Sequence, residues 1–458
     1  MVKEIEVYEG KKILVDFDKV RQRICDIFIL FLFCAFLLMP NLTKIIGLES
    51  RNFLLILVSF ITMTLLVGTN ILEGKIKVNK YNIILFGYLV SIILSYFFSS
   101  YKSGALLGTN GRGEGVVGLI SYMICFYITY NGFKYDKKIF KYVTIAVVIL
   151  SGYGAVQALL SDNFVSFGTR PYMGQSNFGN PNTFSSFLML VIPIYLVKYY
   201  YCKEKIYLLV LTIIFAGMIG TKTFAGYITG LFVLIIITAY FIVIWKNKKE
   251  IMLKFLKLLL SFAIVFALFN IVNDNAYIGE IGENKAEIEL VTSDKAENQE
   301  GTTNKQKFGN NRGYIWGLSC EIISKHPVFG VGPDSLGCEV KSHYMNREDY
   351  IFGNAWVDKA HSEYLHIAAT TGIPSLIIYV VFLFTILIGL LVKYIKYVKE
   401  GKVLEKENMI LVAVTGSIVA YIIQAAANIS MFAVAPLFWA MLGIGAEIAS
   451  KNEKQEEI

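Results

Sequence analysis

Four histidines stand among 458 residues, and one of them, His361, opens the stretch Ala360-His361-Ser362-Glu363-Tyr364-Leu365-His366, which runs on to Thr371-Gly372-Ile373-Pro374. Imidazole titrates near neutral pH, so it can take a proton from a hydroxyl under physiological conditions. Asp358, three residues earlier, is spaced to cap a helix, which would put His361 in the first turn, where the dipole disfavours imidazolium. Upstream, Asn311-Arg312-Gly313-Tyr314-Ile315-Trp316 supplies a guanidinium. With Asn311 as a cap, Arg312 would stand beside the unsatisfied N–H groups of a helix start, a cradle suited to pyrophosphate. Three further cations sit in short polar segments: Arg112 in Gly108-Thr-Asn-Gly-Arg-Gly-Glu-Gly115, Arg170 in the run Gly168 to Asn182, and Lys222 in Gly220-Thr-Lys-Thr223. A base and several fixed cations are what a hydroxyl needs to displace a phosphorylated leaving group.

Each of these residues also has a plainer reading. Arg112 can pair with Glu114, Arg170 can anchor to lipid headgroups, and Lys222 can snorkel outward from an apolar helix end. His326 precedes Pro327 and shapes the turn to Gly332, while His343 and His366 read as structural. Asn180-Pro181 is a turn and helix-start signal, with proline suited to the first helical turn. Gln424 and Asn428, four residues apart, read first as helix-to-helix hydrogen-bonding groups. Cys320 and Cys338 fall in one polar segment, where they are either a disulfide or two free thiols. No C-x-x-C, H-E-x-x-H or Cys/His array is present, so the sequence offers no metal site and implies no cofactor.

The elements that must position these groups are membrane helices. The chain is 55% hydrophobic, well above a soluble average. Apolar runs fall near Ile24–Met39, Phe53–Leu72, Asn82–Phe98, Gly115–Tyr130, Tyr142–Leu160, Thr183–Val197, Ile206–Gly220, Phe224–Trp245, Ile251–Val272, Ser375–Val392, Met409–Ala427 and Met431–Ile448. That predicts an all-α polytopic membrane protein of about twelve transmembrane helices, with one large loop carrying short helices. Lysine clusters at Lys75/Lys77/Lys80, Lys134/Lys137/Lys138/Lys141, Lys246/Lys248/Lys249 and Lys393/Lys396/Lys399/Lys402 mark one face as cytoplasmic. The expected organisation is a cytoplasmic N-terminus (1–23), nine spans (24–272), an extracytoplasmic loop (273–374), three spans (375–448) and a cytoplasmic C-terminus (449–458). The net charge of +8 then reports topology in a multi-pass cell-membrane protein, with no nucleic-acid partner implied. Residues 273–309 are too polar to bury a core. From Arg312 to His326 the spacing of Ile315, Trp316, Cys320, Ile322 and Ile323 predicts an amphipathic helix lying on the membrane.

His361-Ser-Glu-Tyr-Leu365 with Thr371-Gly-Ile373, preceded by Asn311-Arg312…Trp316 and Pro327-Val-Phe-Gly-Val-Gly332, resembles the paired motifs of the O-antigen ligase and O-antigen polymerase family. Arg170 to Asn182 resembles that family's R-x-x-G-x-x-x-N-P-N stretch, Gly108 to Gly115 its G-x-x-x-R-x-E-G element, and Gln424 to Trp439 its closing segment. The resemblance implies a membrane glycosyltransferase, inverting and metal-independent. It would move a glycan from a polyprenyl-pyrophosphate-linked donor to a glycan, surface-polymer or protein acceptor, among membrane lipids. His361 would be the catalytic base, and Arg312, Arg170, Arg112 and Lys222 would grip the donor, with Trp316, Glu363, Asn180 and Gln424 in support. Relatives carry an arginine where this chain has Phe224, so another cation must serve there. The competing reading is an exporter of lipid-linked sugars, which would keep ionisable groups or broken helices near mid-membrane.

Overall fold

The computed structural model describes residues 2–7, 11–39, 44–45, 48–74, 79–109, 112–160, 173–202, 204–275, 277–279, 282 and 304–450. Each of the twelve apolar runs falls on a helix. The helices are α1 (Phe17–Leu30), α2 (Ser50–Glu73), α3 (Lys80–Phe98), the short α4 (Lys102–Leu107), α5 (Val116–Gly132), α6 (Lys137–Leu160), α7 (Pro181–Tyr201), α8 (Ile206–Gly220), α9 (Phe224–Ile244) and α10 (Lys248–Val272). After them come α11 (Asn304–Lys325), α12 (Leu336–His343), α13 (Glu363–Thr371), α14 (Ile373–Lys399), α15 (Lys406–Ala425) and α16 (Ala435–Ser450). Eight of these are long and apolar enough to cross a bilayer, while α5, α8 and α16 are shorter apolar helices. The first run is divided between α1 and a π-helical turn, Phe31–Phe36, so the structure supports a polytopic helical bundle without fixing twelve spans. Two small antiparallel hairpins add to it: β1 (Val2–Val7) pairs β2 (Lys11–Asp16) from Val2↔Asp16 to Val7↔Lys11, and β3 (Lys44–Ile45) pairs β4 (Leu48–Glu49).

Local chemistry starts and stops the helices. Asn79, Asn180 and Asn247 accept from the N–H groups of Asn82, Asn182 and Glu250, which satisfies donors that have no intrahelical partner. Gly74 closes α2 in the left-handed conformation. Between these ends, α7 is buried along most of its length and packs against α8, α9 and α15. Its aromatic and aliphatic side chains join the main core with those of α1, α5, α14, α15 and α16.

A second, smaller core lies at one end of the bundle. Ile315, Leu318 and Ile322 of α11 pack with Val331, Leu336, Val340, Tyr344, Tyr350 and Ala369. This corrects the expected surface helix: the apolar face of α11 is covered by protein, and α11 packs on α13. The helix also begins earlier than expected, at Asn304, so Asn311 is not its cap. Instead Gly309 and Asn311 take φ of 65° and 66°, which interrupts regular helical backbone just before Arg312.

The segment Pro327–Gly332 is zipped to the end of α13. Val331 N–H donates to Ala369 (3.0 Å), Gly332 N–H to Thr370 (2.8 Å) and Ile373 N–H to Pro327 (2.8 Å). Gly330 has φ of 64°, and a Cβ there would run into the Thr370 carbonyl; only glycine fits. Ser99 Oγ at the end of α3 donates to Val331 (2.7 Å) and Ser95 Oγ to Thr370 (3.0 Å), which anchors the zipper to the bundle.

Candidate functional site

The site forms where the second core meets the bundle, from the start of α7, the loops before α5 and α13, the middle of α11 and the end of α15. His361 is two residues ahead of α13, whose N-cap position is Ser362. It takes a φ of 49°, a left-handed conformation uncommon for non-glycine residues. The expected Asp358 cap is therefore not formed. Asp358 Oδ2 instead meets Arg112 Nη1 at 2.7 Å. The His361 carbonyl accepts from Trp316 Nε1 at 3.4 Å, which ties α11 to the loop. Burial, followed by the Arg312 guanidinium, holds the His361 pKa down to about 4; Arg112 adds to this, and Asp358 pulls the other way. Burial and the Arg312 guanidinium thus favour neutral imidazole, and its Nδ1 has no hydrogen-bond partner among the described residues.

Arg312 Nη2 reaches Asn182 Oδ1 at 3.5 Å, next to the start of α7, where Asn180 caps the helix and Pro181 fills the first turn. Asn428 donates through Nδ2 to the Asn182 carbonyl and to Ser186 Oγ, both at 2.8 Å. Gln424 Nε2 donates to Ser185 Oγ at 2.8 Å. Gln424 thus joins α15 to α7, and Asn428 joins the turn after α15 to the start of α7 beside Arg312. Glu363 is buried, its carboxylate accepting from Tyr379 Oη at 2.5 Å. Burial raises its pKa to about 7 against the hydrogen bond from Tyr379.

The candidate residues do not all converge. His361, Arg312, Arg112, Trp316 and Asn180 belong to one neighbourhood, with Gln424 and Glu363 supporting it from below. Lys222 takes φ of 50° and holds its ammonium 4.7 Å from the Tyr277 ring centroid. Arg170 lies outside the described residues, as does most of the polar run 273–309. Arg112 and Glu114 do not pair with each other. His326 and His343 flank Glu339 at 3.8 and 4.0 Å, in the second core. Cys320 and Cys338 are both free thiols. Among the described residues no three His, Cys, Asp or Glu side chains are gathered as a metal site.

Three residues that spacing did not single out complete the architecture. Lys359, two residues before His361, is buried between Glu114 and Asp334, with Asp334 Oδ1 at 2.6 Å from its Nζ. Burial opposes its charge, but the two carboxylates more than offset this and keep the ammonium charged. Asp334 in turn accepts from Thr109 N–H at 2.7 Å and from Thr109 Oγ1 at 3.0 Å. One lysine so fastens the loop before α5, the loop before α12 and the His361 loop to one another. His366, below it, is pushed down to about 3 by burial and by Lys359, consistent with a structural role. The third is Arg51 at the start of α2, which donates to the Asn177 carbonyl at 2.8 Å while its neighbour Asn52 donates to the Arg112 carbonyl at 2.7 Å.

A family model described as O-antigen ligase matches residues 207–380. The match spans α8 to the start of α14 and includes Lys222, Arg312, Trp316, His361 and Glu363. No curated protein matches the chain.

Proposed function

Residues 207–380 belong to the O-antigen ligase family, and from that premise we propose that the chain is a glycosyltransferase moving a glycan from a polyprenyl-pyrophosphate donor to an acceptor hydroxyl. The site end of the bundle faces outward and the end bearing the termini faces the cytoplasm. The observation that carries this reading is the tie of His361 to α11: its carbonyl accepts from Trp316 at 3.4 Å, one helical turn from Arg312, whose Nη2 is 3.5 Å from Asn182 Oδ1 at the start of α7. In the step we infer, an acceptor oxygen attacks the anomeric carbon and gives its proton to the imidazole. The bond from that carbon to the phosphate oxygen breaks, and the pyrophosphate leaves with the electron pair. Arg312 and Arg112 receive the charge that develops, a role for which planar guanidinium forks are suited. Attack opposite the leaving group inverts the sugar, and with charge stabilisation supplied by arginines the step needs no metal.

A place for the donor's tail supports the same reading. An apolar cleft of about 420 Å³ runs between α7, α8, α9 and α10, lined by Leu196, Leu211, Phe215, Met218, Tyr227 and Phe262. Its upper end lies at Met218, whose sulfur is 3.6 Å from Ser185 Oγ, the partner of Gln424. An isoprenoid lying there would bring its pyrophosphate toward Asn182 and Arg312.

Purified protein given a polyprenyl-pyrophosphate oligosaccharide should release the free polyprenyl pyrophosphate and extend the acceptor. Comparing product lengths separates repeat-unit polymerisation, the version we favour, from single-step ligation. Arg312→Lys should lose nearly as much activity as Arg312→Ala, because an ammonium cannot reproduce the fork. Transport of the intact donor across a vesicle without turnover would replace this reading with an exporter.

A further inference from the structure

At the opposite end of the bundle, remote from His361, a second cavity of about 140 Å³ opens between α1, the α5–α6 turn, α7, α15 and α16. Its depth is apolar, walled by Phe33, Val143, Val191, Ala413, Val414 and Met441. Its mouth is cationic. Lys198 of α7 reaches the Tyr135 hydroxyl at 3.0 Å and lies over the Tyr135 and Phe140 rings at 5.0 and 4.8 Å. Lys406 of α15 lies over the same Tyr135 ring at 4.5 Å, and Lys134 also lines the opening. Two acids line it too, Asp26 and Asp136. Asp136 is engaged in capping α6, where its Oδ1 accepts from Lys138 N–H at 2.6 Å. Neither Lys198 nor Lys406 forms a salt bridge among the described residues. Two ammonium groups thus face one tyrosine ring at the entrance to an apolar chamber, neither within salt-bridge distance of a carboxylate among the described residues.

We propose that this cavity is a binding site for one molecule of an anionic glycerophospholipid, with a short stretch of one acyl chain in the chamber, the rest of the chain in the bilayer, and the phosphate at Lys198 and Lys406. The chemistry fits in both halves. Apolar depth takes up hydrocarbon at roughly 25 cal/mol per Å² removed from water, and ammonium groups near a membrane surface attract anionic headgroups. Tyr135 lies between the two lysines, so its ring and hydroxyl are placed to follow the phosphate. The occupied site would brace α7 against α15, the same two helices that carry Asn182, Ser185 and Gln424 at the other end.

The test uses the full chain in detergent with three probes: phosphatidylglycerol, phosphatidylcholine of the same chains, and glycerol phosphate without chains. Native mass spectrometry should retain one phosphatidylglycerol per protein, with affinity at least about tenfold above phosphatidylcholine, and glycerol phosphate should neither bind nor raise Tm. Lys198→Gln with Lys406→Gln should weaken phosphatidylglycerol about tenfold while leaving the lipid-free Tm unchanged. Ala413→Phe should exclude the chain and abolish retention; if that variant does not fold, the chain-free probe still tests the chamber. Equal retention of the two phospholipids, or retention unchanged by the lysine pair, would reduce the site to annular lipid and overturn the proposal. Protection by glycerol phosphate alone would overturn it as well, since the chamber would then have no part.

Discussion

At the residue scale, the proposed chemistry rests on a histidine held in an uncommon state. Its left-handed backbone costs on the order of 1 kcal/mol, and its low pKa means that protonation is disfavoured until an anion arrives. A pyrophosphate on Arg312 cancels the larger of the two electrostatic causes of that low pKa. For free enzyme and donor, kcat/KM should therefore fall only below about pH 4, with neutral imidazole active above it. For the donor complex, the acid limb of kcat should move to higher pH, and paired pH profiles check this. His361→Ala should lower turnover by ~10²–10⁴-fold with donor binding retained. Lys359→Ala leaves two buried carboxylates without their counter-charge, and breaking such a cluster costs roughly 3–5 kcal/mol. Thermal unfolding should show that loss, and Asp334→Asn added to it should cost less than the two single variants summed. His361 and Arg312 stood out in the sequence because their residue types announce chemistry. Lys359 did not, since its partners Glu114 and Asp334 are 245 and 25 residues away and no local period links them.

The elements show which local rules survive packing. Asn180-Pro181 announced the start of α7 because capping is decided within three or four residues. The start of α13 differs from the expectation for a non-local reason: Asp358 has the right spacing for a cap, but Arg112, from the distant loop before α5, claims its carboxylate. The apolar period of α11 was legible, while the partner of its apolar face was not, because a membrane surface and a small protein core demand the same spacing. The turn Pro327–Gly332 is where an element-scale test is sharpest. Gly330→Ala forces a side chain into a positive-φ position and into the Thr370 carbonyl, so it should destabilise by more than about 1 kcal/mol. Hydrogen exchange should then speed up in 327–332 and 369–373 together, with membrane insertion unchanged. Exchange confined to 327–332 would show that the zipper does not act as one unit.

For the whole molecule, the apolar pattern displayed the bundle, since helices long enough to meet a bilayer must be written as continuous apolar runs. Lysine placement predicts an orientation, and that prediction is open to a direct check. In a cysteine-free background, an impermeant maleimide should label restored Cys320, which is exposed in α11, in intact cells. Lys248→Cys at the start of α10 should label only after permeabilisation, and equal labelling in intact cells would undo every assignment of side. One feature of the bundle bears on how a substrate meets the site. α5, α8 and α16 have 17, 15 and 16 residues, whereas α2, α6 and α14 have 24, 24 and 27. At 1.5 Å per residue the first group measures about 22–26 Å and the second about 36–41 Å. A hydrocarbon layer of roughly 30 Å cannot match both. α5 and α16 are enclosed in the main core, whereas α8 lines the proposed donor cleft; beside it the leaflet should thin, its surface dipping like a meniscus along the cleft wall. A sugar tethered to an isoprenoid would slide down that slope within the plane of its own leaflet, and the membrane, drawn in by one short helix, would deliver it.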